Sequence, residues 1–195
     1  MEPELFEVLS ALELRDEKER RQNLPPAERI RALHPDAAKL VSMLAVSKKA
    51  QNIVEVGSGV GYSTLWLAYA ASLVGGKVIT CEIDPAKAAE TWTNLQKANM
   101  AHYVEVLTGD ARDLLRQRAE PVDFLFIDAV KSQYETYFDV VYKRMGVGAM
   151  IVADNATSHG DELLDYITYV QNHPNLESVT VPLARGLEIS VKIAE

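Results

Sequence analysis

Two periods of apolar residues run along this chain and divide it. In residues 2–22, Leu5, Phe6, Leu9 and Leu12 recur at helical spacing in a charged background, which predicts an amphipathic helix ended by Pro25-Pro26. A second helix is expected from near Asp36 to about Lys49. Beyond it the spacing changes to short β-rich runs, "NIVEV", "KVITC", "YVEVL", "VDFLFI" and "AMIVA". These alternate with helical stretches opened by Ser63, by Asp84-Pro85, by Asp110 and by the region after Asp128. Such alternation predicts an α/β protein with a doubly wound, mostly parallel sheet and helices on both faces. The last two runs, "LESVTV" and "LEISVKI", are separated only by "PLARG". That connection is too short for a parallel crossover, so they should form an antiparallel hairpin at one edge and bring the sheet to seven strands.

Composition narrows the picture without changing it. A chain of 195 residues with 48% hydrophobic content buries one sizeable core, and one domain is expected over residues 1–195, with 1–35 as a helical cap or interface segment. The net charge of −8 argues against a polyanion-binding surface, so nucleic acid is not an expected partner. The densest charge, "ELRDEKERR", mixes signs and reads as a solvated helix face. A single cysteine, Cys81, excludes an internal disulfide framework and fits a reducing compartment. Neither a secretory leader nor a membrane-length apolar run is visible, so a soluble, cytoplasmic protein without a membrane partner is expected.

The candidate chemistry lies where the strand-like runs end. "VEVGSGVGYST" sets Gly57, Gly59 and Gly61 at alternate positions before a helix, where the backbone can turn tightly and approach a ligand, or where glycines merely shape the turn. The spacing is G-x-G-x-G, not the G-x-G-x-x-G of dinucleotide sites, which disfavours an NAD-linked oxidoreductase. Glu55 precedes the loop. Glu82 ends the second run, where a carboxylate can accept both ribose hydroxyls of a nucleoside. Asp110, in "TGDA", stands within reach of an adenine edge and equally caps "ARDLLRQ".

The fourth run ends in "FIDAVKSQYETYF" and the fifth in "IVADNATSHG", so Asp128, Asp154 and Asn155 should converge beyond the carboxyl ends of a doubly wound sheet. Placing Asp154 and Asn155 after a buried run is costly unless something pairs with them. Two carboxylates and an amide oxygen form a hard, all-oxygen partial shell that suits Mg2+, Ca2+ or Mn2+ and not zinc. None of His34, His102, His159 and His173 pairs with another at ligand spacing. Lys131 follows Asp128 by three residues; a partly desolvated amine beside a cation could serve as a general base, whereas singly the pair reads as a surface lysine and a helix cap.

Together the glycine loop, the acidic second strand and the closing hairpin resemble a class I S-adenosylmethionine-dependent methyltransferase with a Rossmann-like sheet. A sulfonium cofactor has no pyrophosphate to cradle and favours carboxylates. More closely, "VEVGSGVGYSTLWLA", "CEIDP", "GDA", "FIDAVKSQYETYF", "ADN" and "PLARGLEIS" resemble the cation-dependent O-methyltransferases of the catechol and caffeoyl-CoA type, from about Leu24 onward. The resemblance implies that Asp128, Asp154 and Asn155 bind a divalent cation, Mg2+ foremost. It makes Lys131 and Asp128 catalytic. It implies cofactor contacts from Glu55, Gly57, Ser58, Gly59, Ser63, Glu82, Ile83, Asp110, Ala111 and Asp128, a phenolic or catechol acceptor, and a homodimer. A non-catalytic binding protein that keeps the fold is the alternative.

Some positions depart from that family. Arg185 stands where relatives usually carry an acid before the glycine, "HPDAAKL" lacks a glycine common there, and His159 replaces a frequent aromatic. His159 reads as a solvent-facing helix-start residue, or else as a substrate contact. Tyr134 and Tyr137 pack against the sheet or line the acceptor pocket. Trp66 and Trp92 read as core, and Met43 with Leu40, Leu44 and Val46 as core or interface. The first helix should cap the site or bury Leu5, Phe6, Leu9 and Leu12 against a second subunit.

Overall fold

The computed structural model describes residues 2–25 and 28–195, so Pro26 of the expected Pro25-Pro26 break lies outside the described residues. Seven strands form one sheet: β1 (Asn52–Val56), β2 (Lys77–Glu82), β3 (Val104–Thr108), β4 (Val122–Ile127), β5 (Met145–Asp154), β6 (Leu176–Val181) and β7 (Leu187–Lys192). Their order across the sheet is β3-β2-β1-β4-β5-β7-β6. The first five pair in parallel, and β7 runs antiparallel between β5 and β6. The mostly parallel doubly wound sheet and the closing hairpin are therefore as the sequence pattern predicts. The fifth strand is longer than "AMIVA": Met145 pairs with Val122, and a register shift separates that pair from Phe124 opposite Met150. Gly146 and Gly148 fall inside the irregularity and conceal the strand in the sequence.

Helices α1 (Pro3–Arg21), α2 (Pro35–Lys48), α3 (Tyr62–Val74) and α4 (Pro85–Lys97) cover one face, and α5 (Ala111–Arg116), α6 (Tyr134–Tyr142) and α7 (Gly160–Gln171) the other. The period of two in β4 sends Phe124 and Phe126 into the first layer and Leu125 and Ile127 into the second, all fully buried. That burial on both faces is why β4 reads as a nearly continuous apolar run. α4 starts at Asp84, whose carboxylate accepts from Ala86 N at 2.8 Å, with Pro85 in the first turn. α3 opens one residue earlier than expected, capped by Gly61, because the Ser63 hydroxyl is engaged elsewhere.

The layers also correct three side-chain expectations. Leu5, Leu9 and Leu12 belong to the chain's own core, so they are not free to meet a second subunit; Phe6, of the same group, is exposed. Trp66 is core, whereas Trp92 is 42% exposed, since α4 presents that stripe to solvent. Met43 is exposed as well, which removes the core reading of this residue and does not bear on the interface reading. Among the described residues no helix is long and apolar enough to cross a membrane.

Candidate active site

The strand order turns back between β1 and β4, and a cavity of about 550 Å³ opens beyond the carboxyl ends of the strands there. Gly57 makes the junction tight. It has φ +94°, and a Cβ on it would stand 2.2 Å from the carbonyl oxygen of Asp128, so the loop after β1 lies directly on the tip of β4. Next to it Glu82 orients the loop. Its two carboxylate oxygens accept from Gly59 N at 2.8 Å and Asp84 N at 3.0 Å, leaving outward lone pairs toward the cavity. Ser58 meets Thr91 Oγ1 at 3.1 Å, and Thr91 also donates to Gly59 O at 2.9 Å, a fixing contact that the sequence did not suggest.

Asp110 and Ala111 line the same cavity, as do Ser63 and Ile83. Asp110 caps α5 through Arg112 N at 2.9 Å, and the Arg112 guanidinium grips its carboxylate at 3.0 and 3.1 Å. That guanidinium holds the Asp110 carboxyl below the usual carboxylate range. Glu55, by contrast, does not line the cavity. It is fully buried under the loop, where Ser63 Oγ donates to one oxygen at 2.6 Å and Thr64 and Thr80 donate to the other at 2.5 and 2.6 Å. Glu55 thus ties the first turn of α3 to β2. Burial outweighs the three donors and pushes its carboxyl up to about 7.

At the acceptor end, Lys131 Nζ donates to Asp128 Oδ1 at 3.0 Å and to Tyr134 Oη at 2.8 Å, with its side chain only 8% exposed. Tyr134 is fully buried; its hydroxyl also accepts from Ala129 N at 3.3 Å and donates to the Asp154 carbonyl at 3.4 Å. Burial, reinforced by Asp128 and Asp154, pushes this phenol well above its ordinary range. Tyr137 lines the cavity, its hydroxyl donating to Gln133 at 2.6 Å.

Asp154 and Asn155 lie behind this front and are each 1% exposed. Neither oxygen of the Asp154 carboxylate has a hydrogen-bond partner among the described residues. Burial and the neighbouring Asp128 push its carboxyl up to about 7. An orphaned, buried, doubly bare carboxylate is what a hard cation would satisfy, and two carboxylates with an amide leave room for water and acceptor oxygens. Among the described residues no group of three or more His, Cys, Asp and Glu stands at metal-binding spacing; the third donor in this set, Asn155, is an amide. Asn155 has φ +74° and donates from Nδ2 to Ser158 Oγ at 3.1 Å, which turns the chain sharply after β5.

Three wall segments complete the cavity. His159 begins α7 as expected, but it is half-buried and lines the cavity. Arg185 lines it from the turn between β6 and β7. The third segment is Ile30–Leu33, and its anchors were missed in sequence: Glu19 accepts from Ile30 N at 2.7 Å and Asp16 from Ala32 N at 3.3 Å. Both acids sit in the run that reads as a solvated face, yet both are buried. The signal was present, because positions 5, 9, 12, 16 and 19 continue one helical stripe. Glu13 on the same helix accepts from Tyr62 Oη at 2.6 Å, so α1 holds the cavity rim through three carboxylates.

A family model described as O-methyltransferase matches residues 10–188. The chain is 38% identical over 136 residues to a catechol O-methyltransferase of Niastella koreensis, covering 68% of this chain and 61% of the relative. It is 36% identical over 135 residues to a catechol O-methyltransferase of Mycobacterium tuberculosis, covering 69% and 61% respectively. The chain thus spans about six tenths of the length of these curated relatives. Among solved structures, an O-methyltransferase from Bacillus cereus in complex with SAH superposes with a TM-score of 0.81 at 29% identity, covering 98% of this chain and 91% of that one.

Proposed function

The chain belongs to the O-methyltransferase family, and from that premise we propose that it carries a methyl group from S-adenosylmethionine to a hydroxyl of a catechol-like small molecule. A divalent cation, Mg2+ foremost, would be held by Asp128, Asp154 and Asn155. When bound, the cofactor supplies a sulfonium methyl and the cation a charge that makes a phenolic hydroxyl more acidic. The chain's residues do the rest. Glu82, fixed by Gly59 N and Asp84 N, offers lone pairs to the ribose side of the cofactor. The Gly57 loop, lying on the tip of β4, keeps the cofactor and acceptor halves of the cavity in contact.

Lys131 is the base in this reading, and its geometry supports the role. A neutral amine has two N–H donors and one lone pair; the donors match Asp128 Oδ1 and Tyr134 Oη, which leaves the lone pair for the hydroxyl proton. Tyr134, kept protonated by its burial, holds the amine in place. The whole chain then works as one methyltransferase unit in the cytoplasm, with α1 bracing the rim and exposed Phe6 and Met43 available to a second copy.

The observation that carries the reading is the bare Asp154 carboxylate beside Asp128. The test is methyl transfer from S-adenosylmethionine to a vicinal diphenol, with and without chelator, in the wild type and in Asp154→Asn. Chelation and the substitution should each lower kcat/KM by about a hundredfold or more, the scale of a lost Lewis acid. The substitution should also abolish the Mg2+-dependent rise in melting temperature of the cofactor-free protein. Turnover unchanged by both treatments would overturn the cation.

A further inference from the structure

The cavity's charge does not follow the charge of the chain. The protein carries −8 overall, yet five cationic side chains and four carboxylates line this cavity. Two of the cations are engaged, Arg112 by Asp110 and Lys131 by Asp128. The other three, exposed Arg31 and half-buried Lys87 and Arg185, form no ion pair with any described residue, although Glu162 lines the same cavity, and of these Arg185 is the one mounted on the segment that follows Asn155. A guanidinium stays charged at any ordinary pH; this one attracts the buried Asp154 carboxylate through space, yet its planar fork has no hydrogen-bond partner among the described residues.

The mount of Arg185 is rigid and faces the acceptor end. Its carbonyl accepts from Thr157 N and Ser158 N, both at 2.9 Å, and the next carbonyl, of Gly186, accepts from Ala156 N at 3.0 Å. Gly186 has φ +85°, and a Cβ there would come within 2.5 Å of Thr157 N, so the turn is pressed on the segment that follows Asn155. In register, Asp154 lies opposite Leu187, two residues from Arg185. The stem of this arginine is therefore fixed beside the proposed cation donors, away from Glu82 and Asp110.

We propose that Arg185 forms an anion-binding subsite, and that the methyl acceptor is a catechol bearing a negatively charged group, a carboxylate or a phosphate, which this guanidinium holds. The proposal rests on the methyl-transfer reading and narrows its substrate class. Bidentate geometry suits either anion, and a charge-assisted contact in a partly desolvated wall discriminates against a neutral acceptor of the same shape.

The test compares acceptors that share the reacting diol: 3,4-dihydroxybenzoate, its neutral amide, and the coenzyme A thioester of a dihydroxycinnamate, which carries phosphates instead of a ring carboxylate. Each is assayed with S-adenosylmethionine and Mg2+ on the full chain, in the wild type, Arg185→Gln, Arg185→Glu and Arg31→Gln, with melting curves to confirm folding. The wild type should prefer at least one anionic acceptor over the amide by roughly 10- to 100-fold in kcat/KM, carried mostly by KM. That ratio should fall toward one in Arg185→Gln and invert in Arg185→Glu. Dependence of the benzoate alone identifies a carboxylate subsite, and dependence of the thioester alone a phosphate subsite. No preference in the wild type, a preference that survives Arg185→Gln, or one lost only in Arg31→Gln overturns the proposal. If no acceptor is methylated, the methyl-transfer reading fails instead. Calorimetric binding of benzoate against amide, with S-adenosylhomocysteine present, then decides the subsite by itself.

Discussion

Glu55→Gln is the perturbation whose magnitude follows most directly from the structure. The glutamate is fully buried, and burial raises its carboxyl from the ordinary 4.5 to about 7 despite three hydroxyl donors. At roughly 1.4 kcal/mol per pH unit, carrying Glu55 as a charge costs the folded state on the order of 3 kcal/mol. The sign follows from the proton count. Between pH 4.5 and about 7 the unfolded chain has lost this proton and the folded protein retains it, so stability falls as pH rises through that window and levels off above it. Glutamine never ionises and lacks this slope. Its amide NH2 cannot accept from Ser63, Thr64 or Thr80, which sets a pH-independent offset of about 1–3 kcal/mol against the protonated acid. The assay is urea denaturation of both proteins from about pH 4.5 to 8, plotted as the difference in unfolding free energy. The variant should gain about 3 kcal/mol on the wild type across that range, whatever their offset at the acid end. A difference curve flat to within about 1 kcal/mol, or of opposite slope, would refute the assignment of a buried, proton-holding Glu55.

Gly57→Ala should cost about 2 kcal/mol or more in denaturant stability, because its Cβ would meet the Asp128 carbonyl at 2.2 Å with φ at +94°. S-adenosylmethionine affinity, measured by calorimetry, should fall with it, and a variant as stable as the wild type would contradict the close approach. Tyr134→Phe removes the hydroxyl 2.8 Å from Lys131 Nζ, so kcat should drop roughly tenfold while the acceptor KM changes little. Steady-state kinetics decide this; an unchanged kcat would mean that the amine needs no such support.

Strand identity was legible because burial on both faces leaves little choice of residue, as "VDFLFI" and "NIVEV" illustrate. Helix starts were legible where a side chain does the capping, at Asp84 and Asp110, and were misplaced at Gly61, where the backbone alone does it. Asp128, Lys131, Asp154 and Asn155 could be grouped in sequence because topology sends consecutive strand tips to one crevice. What topology does not reveal is depth. Glu55 and Asp154 both follow apolar runs; one ends under the loop saturated by hydroxyls, and the other lies bare behind Lys131. Asp16 and Glu19 were hidden by their company, since neighbouring Arg15, Arg20 and Arg21 made a buried stripe look like a wet face. Trp92 shows the converse, an apolar side chain on a stripe left open to solvent.

The interior place of β7 has a consequence for the newly made chain. This strand emerges after the other six yet sits between β5 and β6. Until it arrives, β5 presents an unpaired, apolar margin, and the tie from Arg185 O to Thr157 and Ser158 cannot form. Synthesis from the amino end at about 5–20 residues per second leaves that margin open for at least a few seconds. Substrate-ready geometry is thus withheld until the ribosome has finished the hairpin.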